Sequence, residues 1–407
     1  MHATGLSLLR LDLISFVVLA CLVFGYIGLL PLYFDWDKYR TNIIFQNREL
    51  FFYVLLGSSW SIFSLVMGSA IARVAFKHNL KIPICPVQNH KTFYIKFIII
   101  FLIIILTIRN YLMAVPEIAI VHAINGSISD AESARSLMGS EFSGKYHWYS
   151  LIMHDFSYLC VYILFATWLI KKTKIDLFLF LCFFIMASFT SVMAIEKGPF
   201  IWLLIGLIIV WILNRHQGVV NLIKIWPLFV FGLLILAFIY VSFEGSPTVA
   251  DGITASLSRA LTGSILPAYY YLEFFPGQHD FLYGRSFPNP GGIFPWETFR
   301  LTEEVMNWSN GSDYGVVRSA PTIFWTELYA NFGLFGAFFF PVFVGFILFM
   351  IQAFLMKLPD SPIRLGYYVW ILIHFKNLSI SPFSSFLFDI YFIGVTLLVL
   401  MLCFRWK

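Results

Sequence analysis

Apolar runs as long as a bilayer is thick alternate with short polar breaks along almost the whole chain. A helix rising about 1.5 Å per residue needs about 20 apolar residues to cross the hydrocarbon layer. By that measure about ten spans are expected. They run roughly from Leu13 to Phe34, Phe51 to Ile71, Phe93 to Leu112, Tyr149 to Ile170, Leu177 to Ile195, Pro199 to Leu213, Trp226 to Phe243, Leu334 to Met356, Leu365 to Ile380 and Ser384 to Phe404. Gly198-Pro199 separates the fifth from the sixth, which predicts a tight helical hairpin.

Two polar stretches break this rhythm, Arg109 to Trp148 and Glu244 to Ala320. Both keep apolar residues at helical spacing, and neither has the composition of a disordered linker. Short helices are expected around Glu132 to Met138 and from Ile253 to Phe275, folded back on the membrane surface as amphipathic elements. The second stretch is an insert between the seventh and eighth spans. The expected organisation is one integral membrane domain, 1–407, with extracytoplasmic loops at 109–148 and 244–320.

Charge orients this layout. Arg10, the loop with Arg73, Lys77, Lys81 and Lys91, the turn Lys171 to Lys174, Arg215 with Lys224, Lys357 with Arg364, and the tail Arg405 to Lys407 all fall on one side. The other side receives mixed charge and both long loops. Basic short loops face the cytoplasm, so both termini are expected there. Of 407 residues, 59% are hydrophobic and 12% charged, where a soluble domain has about a quarter charged. The net charge of +5 sits between apolar runs, so it reads as topology and not as a nucleic-acid surface. Five cysteines show neither metal-ligand spacing nor a disulfide framework. The first apolar run is too long for a cleaved leader and reads as a helix that stays.

The insert also carries the candidate chemistry. Its arginines Arg259, Arg285, Arg300 and Arg318 are forks that match phosphate oxygens. Arg135 in the other outer loop and Lys197 at the hairpin join them. Singly, such residues serve equally well as lipid-headgroup contacts or helix caps. Glu327 and Asn331 lie four apart on one helical face at the mouth of the eighth span, where they either act on a ligand or brace the insert. Gly333 and Gly336 allow a bend or a close contact there. His154-Asp155, His374, Lys376, Asn377 and Asp389 are polar positions within spans. A structural Lys376–Asp389 pair accounts for two of them without catalysis. Phosphate-binding loops, zinc-protease motifs, nucleophile elbows and dinucleotide fingerprints are absent from the sequence.

Three stretches resemble the Wzy-type polymerases of O-antigen and related repeat units, and more distantly the O-antigen ligases. They are SVMAIEKGPFIWLL, SRALTGS followed by YYYLEFFP and FLYGRSF, and PTIFWTELYANFGLFG. Arg300 and Gly311 also fit a family spacing of arginine to glycine. A histidine expected ahead of the late span in ligases is not found at Arg318-Ser-Ala, which lowers that alternative.

The resemblance implies an all-α, GT-C-like polytopic membrane enzyme of the bacterial inner membrane, active on the periplasmic face. It implies a glycosyltransferase that joins undecaprenyl-diphosphate-linked oligosaccharides, as donor and as acceptor, without metal or cofactor. Membrane lipids and a chain-length regulator are the further partners; nucleic acid is not one. On this reading Arg259, Arg318, Lys197, Arg285, Arg300 and Arg135 bind diphosphate. The catalytic base is one of Glu327, Glu273, His279 and Asp313. Tyr269, Tyr270, Trp296, Tyr329 and Asn331 contact sugars. A ligase or a flippase of lipid-linked oligosaccharides remains the alternative. A flippase ordinarily shows symmetric halves with paired broken helices, whereas polar mass here is lopsided toward the second half.

Overall fold

In the computed structural model, residues 10–40, 49–76, 91–125, 128–139, 142, 145–195, 197–216, 218–220, 227, 230, 232, 248–310 and 319–403 are described. Among them every extended element is a helix. In chain order these are α1 (Leu13–Tyr33), α2 (Glu49–Phe76), α3 (Lys91–Ala114), α4 (Ala119–Ile124), α5 (Ile128–Met138), α6 (Tyr146–Lys171) and α7 (Lys174–Val192). Then follow α8 (Lys197–His216), α9 (Val249–Leu257), α10 (Gly263–Phe274), α11 (Leu301–Asn310), α12 (Trp325–Lys357), α13 (Pro362–Phe375) and α14 (Ile390–Cys403). Turns of π-helix interrupt α1 at Val23–Ile27 and α6 at Leu151–Phe156, and a third, Ser258–Thr262, joins α9 to α10.

Among the described residues, eight stretches are long and apolar enough to cross a membrane: α1, α2, α3, α6, α7, α8, α12 and Phe383–Cys403. The chain is a multi-pass helical membrane protein. Most of the expected seventh span, 226–243, lies outside the described residues. The expected ninth differs from expectation. Helix α13 has 14 residues and gives way to a 3-10 turn at Lys376–Ser379. That is about 21 Å of α-helix, short of the hydrocarbon thickness.

The chain divides into two compact units. One comprises Met1–Leu80, Ile253–Phe354 and His374–Asp389; the other Lys81–Gly252, Leu355–Ile373 and Ile390–Lys407. In the first, Asp12 caps α1 by accepting from the Ser15 amide at 2.9 Å and the Ser15 hydroxyl at 2.8 Å. The orphan Leu13 N–H of that first turn donates to Gln352 Oε1 on α12, 3.0 Å away. Helices α2 and α12 cross closely. A Cβ on Gly68 would collide with the Val342 carbonyl, and one on Gly345 with that of Leu65. Ser58, Ser61 and Ser64 are buried along the same helix α2. Small residues let two backbones meet in lipid, where packing rather than water exclusion drives association.

In the second unit, α6, α7 and α8 form an up-down-up group. Lys172 takes a left-handed conformation to end α6. Thr173 then starts α7, its hydroxyl 3.2 Å from the Asp176 amide and 2.6 Å from the Asp176 carboxylate. Two residues, Lys172 and Thr173, therefore reverse the chain. Along α3, Ile98, Ile99, Leu102, Ile103 and Leu106 are exposed, as a lipid-facing surface requires.

Candidate functional site

Helix α12 begins in two pieces. Gly333 has φ +61° and ψ −147°, a conformation that strains any residue with a Cβ. Ahead of this bend, Glu327 and Asn331 turn inward together and are almost wholly buried. The Ser286 hydroxyl donates to Glu327 Oε1 and the Ser384 amide to Oε2, both at 2.6 Å. Asn331 Nδ2 donates to Ser286 Oγ at 2.7 Å and to the Glu327 carbonyl at 2.8 Å. Its Oδ1 accepts from the Gly284 amide at 2.8 Å. Backbone bonds from Leu282 and Tyr283 to Ala330 and Asn331 finish the clasp. Buried polar groups need such satisfaction, and this network meets the need internally. Both Glu327 oxygens thus have donors within the protein, and the arrangement is that of a brace.

The brace fixes a folded insert with a core of its own. Tyr271, Phe274, Phe275, Leu282, Leu301, Val305, Ala320 and Ala330 pack together, with Tyr329 and Trp308 at the edge. Helix α11 places Leu301 and Val305 in that core and Glu304 on its exposed side. The Tyr329 hydroxyl donates to the Phe275 carbonyl at 3.2 Å.

A second arrangement surrounds the start of α10. Asp37, in the loop after α1, is buried, and its Oδ2 accepts from the Ser258 and Thr262 hydroxyls, both at 2.6 Å. These two residues bracket the π-helical turn that carries Arg259, which is exposed. Turns of this kind recur at functional sites. Arg40 lies three residues beyond Asp37, its Nε 4.0 Å from that carboxylate. Its guanidinium rests against Gly263, where a Cβ would come within 2.7 Å of Nη2. One helical stretch on, Tyr269 packs on Phe51 with ring centres 5.0 Å apart and donates to Glu273 Oε1 at 3.3 Å. Burial lifts the Glu273 carboxyl above its ordinary range, and the Tyr269 hydrogen bond opposes the shift. Burial also raises Tyr270, with Arg40 pulling the other way and Glu273 adding to the rise. Arg40, Tyr270 and Glu273 therefore share one neighbourhood, beside the turn that carries Arg259.

The remaining expected residues are dispersed. Arg285 and Arg300 are exposed, and Arg300 pairs with Glu303 at 3.2 Å. His279 is set among Phe274, Phe275 and Phe299, and its Nδ1 lies 2.6 Å from the Asp280 carbonyl. Trp296 stacks on Phe294 at 4.9 Å. Arg135 belongs to α5 in the other unit. Asp313, Arg318 and the side chain of Lys197 lie outside the described residues.

Sequence reasoning passed over Arg40 and Asp37. Their i,i+3 spacing in a short outer loop was the available signal. It also read Asp389 as a partner of Lys376. The structure brings Asp389 Oδ2 to His374 Nε2 at 2.6 Å, with both side chains nearly buried. In the other unit Asp155 accepts from the Trp370 indole at 3.0 Å, and His154 lies 3.4 Å from the Tyr158 hydroxyl. No group of three metal-capable side chains occurs among the described residues. No family model, no curated protein and no solved structure matches this chain.

Proposed function

We propose that this chain is a membrane glycosyltransferase that polymerises lipid-diphosphate-linked oligosaccharide repeats on the outer face of a bacterial inner membrane. The proposed topology has ten spans with both termini cytoplasmic, the ninth made by α13 continued through its 3-10 turn at Lys376–Ser379, so the braced insert faces outward. The observation that carries the reading is the set around α10: Arg259, Tyr270 and the half-buried Glu273 carboxylate on the folded insert, joined by Arg40 from the loop after α1.

In the proposed reaction, an acceptor sugar hydroxyl attacks the anomeric carbon of the donor chain. A C–O bond forms there as the bond to the lipid diphosphate breaks. Arg40 and Arg259 take up the charge developing on the departing diphosphate, an electrostatic task suited to guanidinium. Glu273 accepts the hydroxyl proton; its raised affinity for protons strengthens it as a base. Tyr270 offers a ring face to a sugar.

A second reading, a flippase of the same lipid-linked units, is favoured by one observation. His374–Asp389 and Lys376 are buried ionisable groups in an apolar setting, as proton-coupled carriers need. The glycan profile of cells lacking the gene separates the two. Loss of long chains with single repeats still reaching the surface is the expected result. Repeats trapped on the cytoplasmic face would establish the flippase reading in its place.

A further inference from the structure

Thr107, Asn110, Lys145, Trp148, Tyr149 and Ile152 line an open cavity of about 420 Å³ within the second unit. We propose that this cavity seats the phosphate-bearing headgroup of a membrane lipid. The site stands whether or not the chain polymerises glycans.

Its walls are built and held. Tyr111, near the end of α3, is buried and donates its hydroxyl to the Met138 carbonyl at 2.5 Å. Its ring packs on Tyr149 and Phe142 at 5.5 and 5.2 Å, and Phe142 meets Tyr149 at 5.7 Å. This aromatic cluster fixes the first turn of α6 beside α3. The π-helical turn that follows, Leu151–Phe156, carries Ile152 into the wall.

Its chemistry is asymmetric. Thr107 and Asn110 lie three residues apart on α3 and so share a face. The Thr107 hydroxyl donates to the Ile103 carbonyl at 2.8 Å, which leaves its oxygen as an acceptor toward the cavity. Lys145 contributes an ammonium, and among the described residues the lining holds no carboxylate. Trp148, 55% exposed, is an indole of the kind that settles at headgroup depth. Below, Leu102, Ile103, Ile105 and Leu106 are exposed along α3. A cation and an amide at one end of a greasy helix face complement an anionic head above acyl or prenyl chains. A neutral sugar would leave the lysine unmatched, and a soluble anion would leave the apolar wall unused. The volume lies within the range of small-ligand sites, about 300–1,000 Å³.

The phosphate has two possible sources, bulk anionic phospholipid and a polyprenyl diphosphate. Native mass spectrometry of the full chain, with each added in turn and phosphatidylcholine as a neutral control, tells them apart. Lys145→Ala should weaken binding of a phosphate lipid about tenfold, while Lys145→Arg retains most of it. Asn110→Ala should weaken it less, and Arg215→Ala not at all. Dependence on Lys145 with phosphatidylglycerol identifies a structural lipid seat. Dependence only with the polyprenyl diphosphate identifies an entry point for a lipid-linked substrate. Affinity for both lipids unchanged in Lys145→Ala and Asn110→Ala, or equal to that for phosphatidylcholine, would overturn the proposal.

Discussion

At the residue scale, two carboxylates that the sequence alone could not tell apart have opposite fates. Glu327 is enclosed by donors from Ser286 and Ser384, whereas Glu273 stays half-exposed beside Tyr269. Glu327→Ala should lower stability by about 2–4 kcal/mol, because it strands buried donors. A thermal melt in detergent reads this; an unchanged melting temperature would contradict the brace. Glu273→Gln should leave the melt alone and remove activity. As a base Glu273 must be ionised, and burial raises its proton affinity. The acid limb of the pH–rate profile should therefore lie above the usual glutamate range, with activity lost as pH falls through it. An acid limb at the ordinary carboxylate value would reject Glu273 as the base. The sequence put Glu327 and Asn331 on one face correctly, but spacing along a helix does not reveal whether that face meets ligand or protein. Ser286 and Ser384 are 41 and 57 positions from Glu327, and such partners leave no local trace.

At the scale of elements, glycine was the readable signal. Gly333 and Gly336 sit where α12 bends and then passes close to the Leu328 carbonyl. A Cβ at Gly333 would also meet the Phe281 ring at 3.2 Å. Gly333→Ala should cost about 1–3 kcal/mol, read in the same melt, with the insert becoming protease-sensitive before the spans do. Equal stability and protection would show that the bend is not imposed there. The ninth expected span was less legible. Its apolar run extends through Ile380, yet the α-helix ends at Phe375 and Lys376 begins a 3-10 turn. Hydropathy counts apolar residues without registering where the backbone changes its winding. The π-helical turns at Val23–Ile27, Leu151–Phe156 and Ser258–Thr262 escaped for the same reason.

For the molecule as a whole, length and composition sufficed to predict a multi-pass helical protein, since only bilayer-length helices explain so few charges over so many apolar runs. The candidate site was legible in part. Arg259 was nominated from the insert's own residues, and Tyr270 and Glu273 through the resemblance to repeat-unit polymerases. Arg40 was not, because it joins them from more than 200 positions away through Asp37. The proposed topology makes a tag inserted after residue 310 accessible from outside intact spheroplasts; protection there would reverse it. The central claim concerns Arg40 and Arg259, the cationic pair beside α10. Its most direct test is polymerisation by the purified protein in proteoliposomes supplied with a polyprenyl-diphosphate oligosaccharide. The wild type should yield a ladder of repeats, and Arg40→Ala with Arg259→Ala should yield only the single unit while keeping the wild-type melt. A full ladder from that double variant would contradict the account.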